Sequence, residues 1–443
     1  MTTVSPAAVG DTSYLDPFIE TVGREALAQI QLKKLQLMLD PICERNAFYR
    51  RKFAASGLQS GSDLRTIDDL RKLPFTTKSE LSIDQAEHPP YGTDLTFARQ
   101  RYTRIHQTSG TKGQPIRWLD TDESWIWWAR CWATVYRAAG VTARDRIFFA
   151  FSFGPFIGFW SAYQGAQHIG ALSVPGGGMS SFQRLKAIID HDITVLVCTP
   201  SYALHLAEVA EQEGIDLRKS SIAITIQAGE PGASLPGTKR RIEAAWGARC
   251  YDHAGATEIG AWGFECQAQS GLHVNEGEFI YEVIDPATGR AADEGELVMT
   301  NLGRVGMPLI RYRSGDRVRV RPDVCPCGRS YVRMDGGVIG RIDDVLIVRG
   351  INIFPSAVEN IVRRFPEIGE FAVDVTRRGE LDEMEVRIEV KTDEPAALVT
   401  AVANELRNGV GLRIAVSHVP FGTLPRFDLK PRRFTDHRGT QRI

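Results

Sequence analysis

The sequence predicts an α/β protein. A large N-terminal domain (residues 1–340) combines parallel-type α/β subdomains with a strand-rich subdomain at about 278–335, and a small, mobile α+β domain (341–443) follows. Three observations support this. Short apolar runs rich in β-formers, at 147–151, 193–198 and 222–227, are separated by helix-length stretches, as buried parallel strands with crossover helices are. From about residue 278 the pattern becomes alternating, at 278–284, 296–300 and 317–320, which indicates a smaller antiparallel or barrel-like unit. After residues 340–344, where we place the domain boundary, strands and helices follow a different plan.

Taken in order, residues 17–41 carry Leu, Gln, Lys and Ala at helical spacing, with Pro41 as the stop. Residues 123–139 form a helix whose Trp125, Trp128 and Trp132 share one stripe, the pattern of a helix packed on a sheet. In the last segment 345–348 is a strand. Pro355 opens a helix to Phe365 from its first turn, where the missing N–H breaks no bond. Residues 371–375 and 384–390 are strands, 396–407 a helix and 414–419 a strand.

Composition excludes several classes of function. Lys and Arg number 53 against 54 Asp and Glu, so no broad nucleic-acid or anionic-membrane surface is expected. No run approaches ~18 uninterrupted apolar residues, so no membrane span is expected. The N-terminus has no basic stretch leading into an apolar one, so no signal peptide is expected. Of the seven cysteines, only Cys325 and Cys327 cluster. That usage fits a reducing compartment, by default the cytoplasm.

Several clusters carry candidate chemistry. Thr108-Ser109-Gly110-Thr111-Lys112-Gly113 combines glycines, hydroxyls and a lysine, a set suited to phosphate, although the spacing is not that of a Walker loop. Tyr251-Asp252-His253-Ala254-Gly255-Ala256-Thr257-Glu258 ends in a hydroxyl beside a carboxylate, which together suit a phosphate oxygen and a divalent metal. It follows an apolar strand and the loop Ala228-Gly229-Glu230-Pro231. In Arg311-Tyr312-Arg313-Ser314-Gly315-Asp316, the aspartate after a glycine turn suits ribose hydroxyls. Gly340-Arg341-Ile342-Asp343-Asp344, with Arg349-Gly350 beyond it, reads as an exposed loop, and 424–433 as a solvated basic run. Singly, each has an ordinary explanation as a loop, helix start or turn cap.

In this order, however, the clusters resemble the adenylate-forming superfamily of acyl-CoA synthetases, peptide-synthetase adenylation domains and luciferases. Within it the chain looks like the phenylacetate-CoA ligase family, on residues 46–53, 175–178, 199–204, 307–313 and 348–356. The resemblance implies a ligase that joins an aromatic carboxylic acid to coenzyme A through an acyl-AMP, using ATP and Mg²⁺. Thr108, Ser109, Gly110, Thr111, Lys112 and Gly113 would hold the β- and γ-phosphates. Gly229, Glu230 and Pro231 would flank adenine, with Asp252 and His253 in the same nucleotide site. Thr257 would touch the α-phosphate, Glu258 the Mg²⁺, Asp316 the ribose and Arg341 the nucleotide. Lys430 would bridge carboxylate and α-phosphate, completing a catalytic set with Thr257 and Glu258. Asp343 would be the hinge, and Gly350 would face the pantetheine tunnel.

One departure is Ala254, where the family usually has an aromatic residue stacked on adenine. Either adenine stacks elsewhere or the ATP site is weaker. His253, Ala254, Gly255 and Ala256 then shape the acyl pocket, with Phe151, Phe156, Ala228 and Gly229. Lys112, where a hydroxyl is common, is a milder change. The alternative acceptor is a carrier-protein thiol or an amine. A nucleotide- and acid-binding protein without catalysis is opposed by Lys430, Glu258 and Asp316. A monomer or homodimer is expected. Cys266, His273, Cys325 and Cys327 supply three sulfurs and one imidazole, a structural zinc set.

Overall fold

The computed structural model describes residues 13–108, 115–344, 346–349, 351–378, 381–392, 394–426 and 432–438. A helical layer comes first: α1 (Pro17–Thr21), α2 (Arg24–Arg45), α3 (Ala47–Phe53) and α4 (Lys78–Glu87). The helix expected to stop at Pro41 is broken after Thr21 instead, and α2 runs through Pro41 to Arg45. The proline forfeits a bond to the Leu37 carbonyl, but Leu37 is exposed, so water can satisfy that group. Leu35, Met38, Leu39 and Ile42 meanwhile keep the apolar stripe buried on both sides of the proline.

A hairpin of β1 (Tyr102–Gln107) and β2 (Arg117–Thr121) leads into α5 (Asp122–Ala139). The Thr121 hydroxyl caps α5, and Trp125, Trp127, Trp128 and Trp132 are all buried. Next come β3 (Arg146–Phe149), α6 (Gly158–His168), β4 (Leu172–Pro175), α7 (Ser181–Asp190), β5 (Val195–Cys198), α8 (Pro200–Gln212), β6 (Ile224–Gln227), α9 (Pro236–Trp246) and β7 (Arg249–Ala256). These strands pair in parallel in the order β4-β3-β5-β6-β7. Their side chains alternate between two apolar layers: Ile147, Phe149, Val195 and Val197 in one, Phe148, Leu196 and Cys198 in the other. The unforeseen β4 is a half-exposed edge strand with only one β-branched residue.

Strand β7 is the seam of the sheet. Its first half pairs in parallel with β6, and its second half runs antiparallel to β8 (Gly260–Glu265). The chain continues through β9 (Leu272–Val274), β10 (Phe279–Ile284), β11 (Glu294–Asn301), β12 (Tyr312–Arg321), β13 (Arg333–Met334) and β14 (Gly340–Arg341), and twelve strands form one sheet. The strand-rich segment is therefore antiparallel, but it is not the separate barrel-like unit that its texture implied. Because β7 extends past the end of β6, it offers β8 a free edge, and the two halves merge.

The last segment comprises β15 (Leu346–Val348), β16 (Ile351–Ile353), α10 (Pro355–Val362), β17 (Ile368–Arg378), β18 (Leu381–Val390), α11 (Pro395–Val410), β19 (Ala415–Val419) and β20 (Phe434–Asp436). Its four-stranded sheet has the order β19-β18-β17-β20. An apolar core drawn from residues 346–434 fills it, separate from the two layers of the large sheet.

Candidate active site

The parallel strands reverse order at β3, with β4 on one side and β5 on the other. Loops leaving the carboxyl ends of strands at such a reversal splay apart and open a crevice. Here these are residues 150–157 after β3, 176–180 after β4, Thr199 entering α8, 228–235 after β6, and the turn 257–259 after β7. Gly176 lets two of them meet. Its N–H donates to the Phe149 carbonyl at 2.9 Å, and a Cβ there would stand only 2.7 Å from that oxygen.

The β1/β2 hairpin is fastened beside this crevice, where Gln107 N–H donates to the Pro155 carbonyl at 2.9 Å. Thr108 is tied to Ile116 across the hairpin. Its N–H donates to Ile116 O at 3.0 Å, and its hydroxyl accepts from Ile116 N–H at 3.1 Å. Ser109, Gly110, Thr111, Lys112 and Gly113 lie outside the described residues.

Thr257 and Glu258 form the tight turn between β7 and β8. A buried arginine, Arg304, braces that turn. Its Nη1 donates to the carbonyls of Thr257 (2.9 Å) and Glu258 (3.1 Å). Its Nε and Nη2 make a two-pronged pair with Asp120 of β2 at 2.8 and 2.7 Å. The guanidinium also lies between the Trp118 and Trp128 rings, 5.0 and 5.5 Å from their centroids. Burial works against the Asp120 charge, but Arg304 beside it, with His106, keeps the carboxyl below its ordinary value. One guanidinium thus joins the loop-bearing hairpin to the Thr257–Glu258 turn. The Glu258 carboxylate accepts from Lys78 Nζ at 3.1 Å. Arg304, Asp120 and Lys78 carry no local motif, so sequence reasoning missed them.

Asp316 and Arg341 are register partners across β12 and β14. Arg341 Nη1 donates to Asp316 Oδ1 and to the Ser314 carbonyl, both at 3.0 Å. Gly315, at φ 74°, lies within β12 just before Asp316, where the register with β11 shifts. Buried Tyr312 feels the charges of this pair and of Glu258. Burial first, then the Glu258 charge, push its hydroxyl well above the ordinary value, with Asp316 adding to the effect and Arg341 opposing it. Preceding it, Arg311 takes a left-handed φ of 49° and is pinned by a two-pronged pair with Glu282 at 2.9 and 2.7 Å.

Strand β7 places Asp252 opposite Gln227 of β6, where the loop with Ala228, Gly229, Glu230 and Pro231 begins. Burial, then the nearby Glu265 charge, push the Asp252 carboxyl up to about 7. His253 donates from Nδ1 to the Gly263 carbonyl at 2.7 Å and packs on Trp132, with ring centroids 4.1 Å apart. Burial pulls its imidazole down to about 4, so the ring is neutral near pH 7. Ala254 pairs with Gly263 and Ala256 with Gly260, with a bulge at Gly255 between them. The Glu230 carboxylate reaches the start of α8, where its Oε1 accepts from Ser201 N–H at 2.7 Å. Of the phenylalanine run, Phe148 and Phe149 are strand core. Phe151 packs on Phe153 and Phe159, while Phe156 is partly exposed.

Lys430 and Gly350 lie outside the described residues. Asp343 belongs to a short 3₁₀ turn, Ile342–Asp344, directly after β14. Away from the crevice, Cys266, His273, Cys325 and Cys327 converge, with all four donor atoms within 4.8 Å of one another. Cys266 Sγ is 3.7 Å from Cys325 Sγ, and Cys327 Sγ is 3.4 Å from His273 Nε2. Two sulfurs bound tetrahedrally to zinc at ~2.3 Å stand ~3.8 Å apart, so the set has the dimensions of a zinc site. The His273 Nδ1–H donates to the Tyr331 carbonyl at 3.1 Å, which leaves Nε2 as the ligand atom.

Curated relatives decide the family. The chain is 32% identical over 436 residues to the phenylacetate-coenzyme A ligase of Thermus thermophilus, covering 93% of this chain and 96% of that one. It is 33% identical over 432 residues to the Aromatoleum evansii enzyme of the same name, covering 93% of both. The chain belongs to the phenylacetate-coenzyme A ligase family. Residues 350–438 of this family member also match the AMP-binding enzyme C-terminal domain. Its fold superimposes on 2-hydroxyisobutyryl-CoA ligase in the postadenylation state with a TM-score of 0.91, at 30% identity over 99% of this chain and 94% of that one. Against the same ligase in the thioesterification state, where 98% of this chain and 94% of that one are covered at 31% identity, the TM-score is 0.73. The segments here therefore superimpose better on the first of these two arrangements than on the second. Among the described residues of this phenylacetate-coenzyme A ligase family member, no helix is long and apolar enough to cross a membrane.

Proposed function

We propose that this protein is an ATP-dependent, AMP-forming ligase that converts an aromatic carboxylic acid to its CoA thioester. The observation that carries the proposal is the similarity to phenylacetate-coenzyme A ligases along nearly the whole chain. In the first half-reaction a carboxylate oxygen attacks the α-phosphorus of ATP and pyrophosphate leaves. In the second the CoA sulfur attacks the acyl carbonyl and AMP leaves.

The loop from Thr108 to Gly113 would take the β- and γ-phosphates, Thr257 an α-phosphate oxygen, and Asp316 and Arg341 the ribose side. Gly229 and Pro231 would flank adenine, and the position of Glu230 at the α8 N-terminus leaves that part to the backbone. Glu258 offers the hard oxygen that Mg²⁺ prefers, and half-exposed Lys78 is free to yield that place. Bound there, Mg²⁺ would neutralise charge on the transferred phosphates. Lys430 would bridge carboxylate and α-phosphate as negative charge builds, an effect often worth ~3–4 kcal/mol.

Residues 1–340 and 341–443 would act as two domains turning about Asp343, a rotation that withdraws Lys430 and brings Gly350 to the pantetheine. Phe151, Phe153 and the Trp132–His253 pair support an aryl rather than a long-chain acid. Cys266, His273, Cys325 and Cys327 would hold a structural zinc. With every position filled by protein, that metal would have no site for water or substrate. The cytoplasm is the proposed compartment, in keeping with seven unpaired cysteines.

A pyrophosphate-release screen over benzoic, hydroxybenzoic, aminobenzoic, phenylacetic and fatty acids, with and without CoA, tests the proposal. An aryl acid should be preferred and its thioester should accumulate only with CoA. Absence of release with every acid, or a preference for fatty acids, overturns it.

A further inference from the structure

We propose that Arg426 and Arg433 fasten the last segment to one face of α8 for adenylation and release it for thioester formation, which makes Ser201 and Glu208 positioning residues. The proposal rests on the assignment of Lys430 to the first half-reaction, because these two arginines bracket residues 427–431. Arg433 Nη2 donates to Ser201 Oγ at 2.9 Å. Arg426 Nε donates to Glu208 Oε2 at 3.0 Å. Ser201 and Glu208 both belong to α8, seven residues apart. That spacing is two helical turns, so both partners face the same way about 10 Å apart along the axis. One turn further, Lys391 of the last segment lies 3.6 Å from Glu211.

Each arginine is also anchored inside its own segment. Arg426 Nη2 donates to buried Glu389 at 2.9 Å. Arg433 donates to Glu370 at 2.8 and 3.1 Å and to Glu359 at 3.0 Å, and its guanidinium lies 5.3 Å from the Phe371 ring centroid. Rotation of the last segment therefore leaves neither guanidinium unpaired. Among the described residues, Arg433 sends one hydrogen bond to α8 and Arg426 one ion pair, through Nε at 3.0 Å and Nη2 at 3.5 Å. A latch of that strength shifts the balance between two arrangements without locking either, since a single hydrogen bond and a single partly buried ion pair are each modest in net effect.

Glu208→Ala and Ser201→Ala, singly and together, test the clasp by half-reaction. Pyrophosphate release measures adenylation, and thioester formation from supplied aryl-AMP and CoA measures the second step. Glu208 keeps 19% of its side-chain surface exposed, so its replacement should lower the melting temperature only slightly. The double variant should adenylate on the order of tenfold more slowly, while thioester formation is unchanged or faster. Glu208→Lys, which repels Arg426, should slow adenylation further and again spare the second step. Equal slowing of both half-reactions, or no slowing of adenylation in the double variant, overturns the clasp. A wild-type protein that performs neither half-reaction would instead overturn the ligase assignment.

Discussion

Replacing Arg304 by methionine should separate stability from catalysis. Arg304 and Asp120 are both fully buried and paired through two hydrogen bonds. Removing the guanidinium strands the Asp120 carboxylate, and breaking a buried pair from one side costs about 3–5 kcal/mol. The Thr257 and Glu258 carbonyls also lose their donor, at about 1 kcal/mol each. The total, about 5–7 kcal/mol, is a large part of the 5–15 kcal/mol typical of folded domains. Arg304→Met should therefore melt far earlier in denaturant. Arg304→Met with Asp120→Asn removes the stranded charge, so most of the first term should return while the carbonyls stay unbraced. Adenylation, read as pyrophosphate release, should remain impaired in both variants, because the Thr257–Glu258 turn is no longer fixed to the hairpin. Acid titration gives an internal check. With the folded Asp120 carboxyl held below its unfolded value, the pair stabilises fully above that unfolded value and is lost as pH falls through the folded one. A loss below about 1 kcal/mol in the single variant, or adenylation restored together with stability in the double variant, would falsify the bracing role.

Lys430→Ala should abolish acyl-AMP formation yet leave thioester formation from supplied acyl-AMP largely intact; a parallel fall of both would refute its assignment to one step. Glu258→Gln should cut pyrophosphate release severely with an unchanged melting curve, and an unaltered rate would remove Glu258 from the metal site. Purified protein should contain close to one equivalent of zinc, and Cys325→Ser should lower thermal stability while the KM for ATP stays nearly constant. Less than about a third of an equivalent, with all three cysteines reactive in the native state, would rule the clip out. Asp252, raised to about 7, binds a proton in the folded state that the unfolded chain has already lost. Its contribution is present below the unfolded value near 4 and declines as pH rises toward 7, by on the order of 4 kcal/mol. Asp252→Asn should flatten that decline; an identical pH–stability curve for both proteins would show that Asp252 does not cause it.

Much of the fold was legible because its signals are local. The runs at 147–151, 193–198 and 222–227 correspond to β3, β5 and β6 to within two residues at either end. A strand buried on both faces must be apolar throughout, and that pattern needs no knowledge of its neighbours. The Trp125–Trp132 stripe marked α5 for the same reason. Pro41 misled because a proline within a helix is decided by what surrounds it: an exposed Leu37 carbonyl and apolar packing on both sides. Alternation from about 278 marked the antiparallel strands, but it reports a strand's two faces and not the edge it joins, so their merger with the parallel strands in one sheet was not legible.

At the site, sequence by itself determined the chemical inventory: the Thr257-Glu258 pair, Asp316 with Arg341, and the four zinc-type donors are present as residue types whatever the fold. Tertiary structure alone decided their company. Arg304 stands 46 and 47 residues from the carbonyls it braces and 184 from Asp120. The Glu230 carboxylate came to the Ser201 N–H at the start of α8, and Cys266 and Cys325 came to within 3.7 Å across 59 residues. Local sequence sets backbone preference and burial through neighbours a few positions away. The bonding of a buried charge is set by whichever partner the packed core brings within reach, since leaving it unpaired there costs more than the core can tolerate.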